Sequence, residues 1–225
     1  MLTDGRRRSA PQALHSAEMP LITFEGVEGS GKSTQLRLAA ARLADSGRRV
    51  VQTREPGGTP IGQKIREILM DPENTHLDAV AEWLLYEADR RQHVREVLRP
   101  SVQAGAFVLC DRYCDATEAY QLAARGVDAD AVRRVDAIAR DGLLPDLTLV
   151  YDLEPEVGLA RAWRRDGNRA GRFEAAELGF HERVRAAYLE IARREPERVV
   201  VIDARSAEQA VSARSWEILA ERFSL

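Results

Sequence analysis

The sequence predicts an α/β protein built on a five-stranded, mostly parallel sheet, and three observations carry that prediction. Five short apolar or β-branched runs stand out, at 21–25, 49–53, 106–110, 147–152 and 199–203. Longer stretches with helical spacing separate them, and strands that alternate with helices imply βαβ units. The runs show little polar alternation, as expected of strands covered on both faces. Finally, Gly26-Val27-Glu28-Gly29-Ser30-Gly31-Lys32-Ser33 reads G-x-x-x-x-G-K-[ST] without a mismatch. It sits between the first strand and a helical run, the context this motif requires.

The helical spacing predicts helices at approximately 32–46, 60–70, 78–102, 115–125, 128–141, 156–165, 178–195 and 206–222. Gly47 stops the first, and Pro100 is expected to end or bend the third, because proline lacks the N–H a helix interior uses. One domain over 20–225 accounts for all of these elements. Residues 1–19 hold Arg6-Arg7-Arg8 and two prolines with little periodic apolarity, and are expected to form a disordered extension outside the fold.

The chain has 225 residues, 44% hydrophobic and 31% charged, with a net charge of −3. That composition suits one globular core and lacks the basic surplus of a general nucleic-acid binder. No apolar run approaches the roughly 18 residues of a membrane span. Cys110 and Cys114 fit no zinc or redox spacing, and so few thiols point to a reducing, cytoplasmic setting. His15, His76, His93 and His181 are scattered and form no ligand cluster in sequence.

The chemistry is expected at the C-terminal ends of the strands. In the glycine loop, consecutive backbone N–H groups converge on one point and the helix N-terminus adds positive charge. Gly26 to Thr34 are therefore the expected triphosphate cradle, for ATP. Lys32 would reach the β/γ-phosphates, and Ser33 would hold Mg²⁺, with Asp111 as the second oxygen ligand. Past the second strand comes Thr53-Arg54-Glu55-Pro56-Gly57-Gly58-Thr59; past the third comes Asp111-Arg112-Tyr113. Alone, either arginine would read as a surface ion pair with Glu55 or Asp111. Two together beside a phosphate loop suit a second phosphate group.

A basic, glycine-interrupted stretch at about 161–175 carries Arg161, Arg164, Arg165, Arg169 and Arg172. It reads as an arginine-rich lid that brings charge to the transferring phosphoryl group, with a solvated charge run as the alternative. Tyr86 and Arg90, four apart, share one helix face and could hold a base. Alone, they read as a core tyrosine and a surface arginine.

Taken in this order, the phosphate loop, Thr53 to Thr59, Asp111-Arg112-Tyr113 with Ala119-Tyr120-Gln121, Leu144 to Thr148 and Phe180 to Tyr188 resemble the thymidylate kinase family. The resemblance covers about residues 20–223, and the T-R-E-P-G-G-T run is its most specific part. It implies a three-layer P-loop kinase fold, ATP and Mg²⁺ as cosubstrate and metal, dTMP as acceptor, and a homodimer. Arg54 and Arg112 would clamp the acceptor phosphate, with Glu55 beside them. Glu28 is similar to an acidic residue near the sugar 3′-OH and the metal. Tyr86 would stack on thymine, Arg90 would reach its O4, and Thr117 and Gln121 would face the base. Tyr120 would disfavour a ribose 2′-OH. Arg165, Arg169 and Arg172 are the candidates for the catalytic lid arginine. The chain departs from the family pattern at Ala116 and at Gly171-Arg172-Phe173-Glu174.

The expected reaction is transfer of the ATP γ-phosphoryl group to dTMP. A phosphate monoester is largely dianionic at neutral pH, so no general base is needed. Two rival readings are a deoxynucleoside kinase with Glu55 as general base and a non-catalytic ATP-binding regulator.

Overall fold

The computed structural model describes residues 19–166 and 177–225, and the side chains of residues 165 and 166 lie outside that description. The extension 1–18 also lies outside it, whereas Met19 packs partly buried against the core. Strand β1 (Leu21–Glu25) leads through the glycine loop into α1 (Lys32–Asp45), followed by β2 (Val50–Arg54). Helices α2 (Pro60–Met70) and α3 (Ala79–His93) come next. A π-helical turn, Val94–Leu98, joins α3 to α4 (Arg99–Gln103). Strand β3 (Phe107–Asp111) precedes α5 (Cys114–Thr117), which runs into a second π-helical segment, Glu118–Ala124. Then follow α6 (Ala129–Arg140), β4 (Leu147–Asp152), α7 (Pro155–Asp166), α8 (Leu178–Arg194), β5 (Val199–Asp203) and α9 (Glu208–Phe223).

All five strands are parallel, in the order β2-β3-β1-β4-β5, with helices covering the sheet. Period-two alternation sends side chains to two separate apolar layers. Ile22, Phe24, Phe107 and Leu109 join one buried cluster, while Leu21, Val108 and Cys110 join another. The central strands are mostly apolar for this reason. The edge strands β2 and β5 are partly exposed, so the expectation of cover on both faces holds for the sheet interior only. The central polar residues are satisfied within the sheet: Thr23 and Thr148 on neighbouring strands share a 2.7 Å hydrogen bond.

Two expectations shift. The second and third strands begin and end one residue later than their apolar runs, because Arg54 pairs with Asp111 and adds a last rung to the ladder. Pro100 does not end its helix, which continues to Gln103. The π-helical turn immediately before it changes the hydrogen-bond register where proline has no N–H to give.

The helix starts fix the loops that matter. Thr59 caps α2 by accepting from the Gly62 N–H at 2.9 Å, with Pro60 as the first helical residue. Asp78 caps α3 through the Val80 and Ala81 N–H groups. Strand ends, the glycine loop, α2, α3 and the segment after β3 together surround one cleft.

Candidate functional site

The glycine loop crosses over the sheet edge and is pressed against the start of α7. Gly29 has φ +69, and a Cβ there would overlap the Gly158 carbonyl oxygen, so no other residue fits without moving the loop. Lys32 is buried, and its Nζ donates to the Val27 carbonyl at 2.8 Å, with the Ser30 hydroxyl at 3.5 Å. Burial and the neighbouring Arg112 push its pKa down to about 8. A buried ammonium held only by neutral oxygens is poised to meet an anion. The Ser33 hydroxyl donates to an Asp111 carboxylate oxygen at 2.5 Å. Two hard oxygen donors side fit Mg²⁺, which typically uses one or two protein oxygens and completes its shell with phosphates and water.

Next to this cradle lies a cleft of about 340 Å³. Its lining includes Glu28, Gly29, Lys32 and Ser33 from the loop and the start of α1, Arg54 and Glu55 from the end of β2 and the residue after it, and Tyr86 and Arg90 from α3. Asp111, Arg112, Thr117, Tyr120 and Gln121 complete the residues expected from sequence. The other loop residues, Gly26, Val27, Ser30, Gly31 and Thr34, shape the turn without lining the cleft. Arg169 and Arg172 lie outside the described residues, as does the Arg165 side chain, and the first six positions of the expected lid, 161–166, extend α7.

Glu28 and Arg112 form the centre of the cleft. Arg112 occupies the left-handed region at φ +70 in the turn after β3, a conformation costly for a side chain of this size. Its guanidinium donates to Glu28 at 2.9 Å and to the Tyr188 hydroxyl at 3.2 Å, and lies 4.8 Å from the centre of the Tyr120 ring. Glu28 also accepts from the Tyr120 hydroxyl at 2.7 Å and meets His181 Nδ1 at 3.2 Å. Burial disfavours its charge, but Arg112, His181, Lys32 and Tyr120 together hold the Glu28 carboxyl well below the usual range. Behind them, Glu25 at the end of β1 accepts from the Tyr113 N–H and the Tyr188 hydroxyl, each at 2.7 Å. Burial, with Asp115 nearby, pushes its pKa up to about 8.

Neither ion pair of the alternative, surface reading of the two arginines forms. Arg54 donates to Gln63 at 3.3 Å and has no carboxylate partner among the described residues. Arg112 pairs with Glu28 rather than Asp111.

Arg90 departs most from the surface reading. It is 2% exposed, and its Nε donates to Glu55 at 2.9 Å. One terminal nitrogen reaches Glu87 at 2.9 Å, Thr117 at 2.7 Å and Asp136 at 3.1 Å, and the other donates to the Tyr113 carbonyl at 3.1 Å. A guanidinium has five N–H donors, so this pattern leaves one for the cleft. Glu55 is tied twice, to Arg90 and to His93 Nδ1 at 2.9 Å, and His93 continues to Thr53 at 2.6 Å. Both oxygens of Glu55 are committed, which removes the free general base that a deoxynucleoside kinase would need. Gly58 lies against the other side of this imidazole, where a Cβ would overlap the ring.

Sequence reasoning missed Arg66. It comes from α2, lines the cleft, and donates to the Pro56 carbonyl at 3.1 Å. Burial and the nearby Arg54 lower its pKa, so it sits in a field of positive charge. Its signal in sequence was only a basic residue on the inner side of an amphipathic helix. Met70 is the other lining residue that no motif named, whereas Pro56, Tyr113 and Ala116 lie within or beside the motifs read in sequence.

A family model described as "Thymidylate kinase" matches residues 24–214. Among curated relatives, the thymidylate kinase of Desulfosudis oleivorans is 50% identical over 198 residues, covering 86% of this chain and 92% of the relative. That of Deinococcus radiodurans is 47% identical over 201 residues, covering 89% and 96%. The crystal structure of thymidylate kinase from Ehrlichia chaffeensis superposes with a TM-score of 0.73 at 31% identity, covering 89% of this chain and 98% of that one.

Proposed function

This chain belongs to the thymidylate kinase family, and we propose that its cleft and glycine loop hold dTMP and ATP in line for phosphoryl transfer. The enzyme phosphorylates dTMP to dTDP. The observation that carries the residue assignment is the pair of adjoining cation sets. Lys32 and the loop amides stand on one side, and Arg54, Arg66 and Arg112 on the other. A non-catalytic ATP sensor has no use for the second set.

ATP is the donor, cradled by Gly26 to Thr34. Ser33 and Asp111 would hold Mg²⁺, which supplies charge neutralisation between the β- and γ-phosphates when bound. Arg54, Arg66 and Arg112 grip the acceptor phosphate, so the reacting oxygen is held rather than deprotonated. Tyr86 faces one side of the base; the open N–H of Arg90 meets its O4, and Thr117 and Gln121 complete the polar edge. Glu55 holds Arg90 and His93 in place. Glu28 and Tyr120 sit at the sugar. An arginine of the 161–175 stretch, Arg165, Arg169 or Arg172, completes the transition-state charge. The domain is residues 20–225, with Met19 packed against its core.

Steady-state assays with ATP and either dTMP or thymidine test the reaction. Turnover of dTMP and none of thymidine is expected; the reverse would remove the assignment. Among the described residues no helix is long and apolar enough to cross a membrane, and the enzyme works on small molecules in the cytoplasm without nucleic acid. It is a homodimer through α2 and α3, which pack together and leave Ile61, Ile68, Val80 and Leu84 exposed. Sedimentation of the purified protein should give twice the chain mass, and L84E should halve it.

A further inference from the structure

We propose that His181 is a positioning residue for the acceptor sugar, fixing Glu28 so that one carboxylate oxygen faces the 3′-hydroxyl. The inference rests on the reading of Glu28 as the sugar contact. His181 lies in the first turn of α8, 1% exposed, and α8 packs against the π-helical segment that carries Tyr120. Glu28 is therefore met from two packed elements as well as from Arg112.

The two oxygens of Glu28 are not equivalent. Oε1 accepts from both the Arg112 guanidinium at 2.9 Å and the Tyr120 hydroxyl at 2.7 Å. Among the described residues, Oε2 meets only the His181 Nδ1, at 3.2 Å. A carboxylate oxygen accepts about two hydrogen bonds, so Oε1 is filled and Oε2 keeps one direction open. For Nδ1 to donate to a carboxylate it must carry a proton, and a neutral ring then leaves Nε2 as a bare acceptor. Nε2 is buried without a partner. That is the less costly orphan, because the alternative tautomer would bury an unmet N–H and turn two acceptors toward each other. The ring itself is held edge-on by Phe180, with centroids 5.4 Å apart. Without this donor the carboxylate is anchored at one oxygen only and can rotate about Oε1, away from a fixed sugar position.

The test compares dTMP with its 3′-deoxy analogue, first in the unaltered enzyme, where dTMP should be the better substrate; equal turnover of the two there overturns the inference. In H181A the preference in kcat/KM should fall about tenfold or more, as expected for a misoriented charge-assisted contact, with the KM for ATP unchanged. H181N, whose amide can stand where Nδ1 donates, should keep the preference within about threefold. H181Q, whose amide falls at the Nε2 position, should lose it, and carries the same test if H181A does not fold. In an E28A background H181A should cost no further preference, because His181 acts through Glu28. A preference unchanged in both H181A and H181Q, or activity lost equally on both substrates, overturns the inference. Failure of the dTMP assignment would show separately, as absence of dTMP turnover by the unaltered enzyme.

Discussion

Arg90 on one wall of the cleft is met by Glu55, Glu87, Asp136, Thr117 and a backbone carbonyl, whereas Arg54 and Arg66 nearby have, among the described residues, hydrogen bonds only to Gln63 and the Pro56 carbonyl. The first guanidinium is 2% exposed and more than neutralised by three carboxylates. The other two line the same cleft as Arg112, and Arg66 feels both Arg54 and Arg112 as neighbouring positive charges. One protein thus uses the same side chain for opposite ends. A charge balanced in advance is a rigid part, and a charge left unbalanced is a binding site for whatever anion arrives. The distinction predicts which substitutions damage the fold and which damage the reaction.

Removing the unbalanced pair should have the largest effect, and on catalysis alone. Each guanidinium contact to a phosphate contributes about 1.5–3 kcal/mol. R54A/R66A should therefore lower kcat/KM for dTMP by about 10³-fold. ATP affinity and thermal stability should stay near those of the unaltered enzyme, because no carboxylate loses a partner. A drop in melting temperature comparable to that of an Arg90 variant would break the comparison.

R90M should do the reverse in emphasis. It would leave Glu87 without its cation and take one partner each from Glu55, which keeps His93, and Asp136, which keeps Arg140; breaking such a buried set by removing one member costs about 3–5 kcal/mol. Glu87 feels this already: burial raises its pKa even with Arg90 beside it. Urea denaturation at neutral pH would measure the loss. A variant as stable as the parent would mean that the three carboxylates are satisfied without Arg90.

The sheet, the glycine loop and the ordering of the strand-end motifs were legible because each depends on local pattern. An apolar run, a glycine spacing or a helix period is visible within a dozen residues. The partners of Arg90 were not, since Glu55, Thr117 and Asp136 lie 35, 27 and 46 residues away and arrive from different elements. The same holds for His181, which reaches Glu28 across 153 residues and looked in sequence like one more scattered histidine. Arg66 was hidden differently, on a helix with no motif, where only packing of α2 over the cleft reveals its direction. The π-helical turns left no trace because one extra residue in a turn barely alters the apolar spacing. Sequence named the groups that bind; it did not show which charges were already balanced.

Glu25 extends the comparison to a carboxylate, and its effect is read as a change from one pH to the next. It is fully buried, and burial together with Asp115 raises its pKa to about 8, although Arg112 and two hydrogen bonds pull the other way. Below about pH 4.5 the group is protonated in both the folded and the unfolded chain and contributes no pH dependence. As pH rises from there toward 8, the unfolded chain ionises while the folded one keeps its proton. Folding then takes up a proton, and stability from this group falls by at most about 1.4 kcal/mol per pH unit. Above about pH 8 both states are ionised and the penalty stays constant. E25Q is neutral in both states, and its amide can accept from the Tyr113 N–H and donate to the Tyr188 oxygen. Its stability relative to the parent should therefore climb between pH 5 and pH 8, by roughly the same slope. Denaturation curves at three pH values in that window would decide it. A difference that does not change with pH would mean that Glu25 is ionised in the folded enzyme, balanced by Arg112 in the way Glu55 is balanced by Arg90.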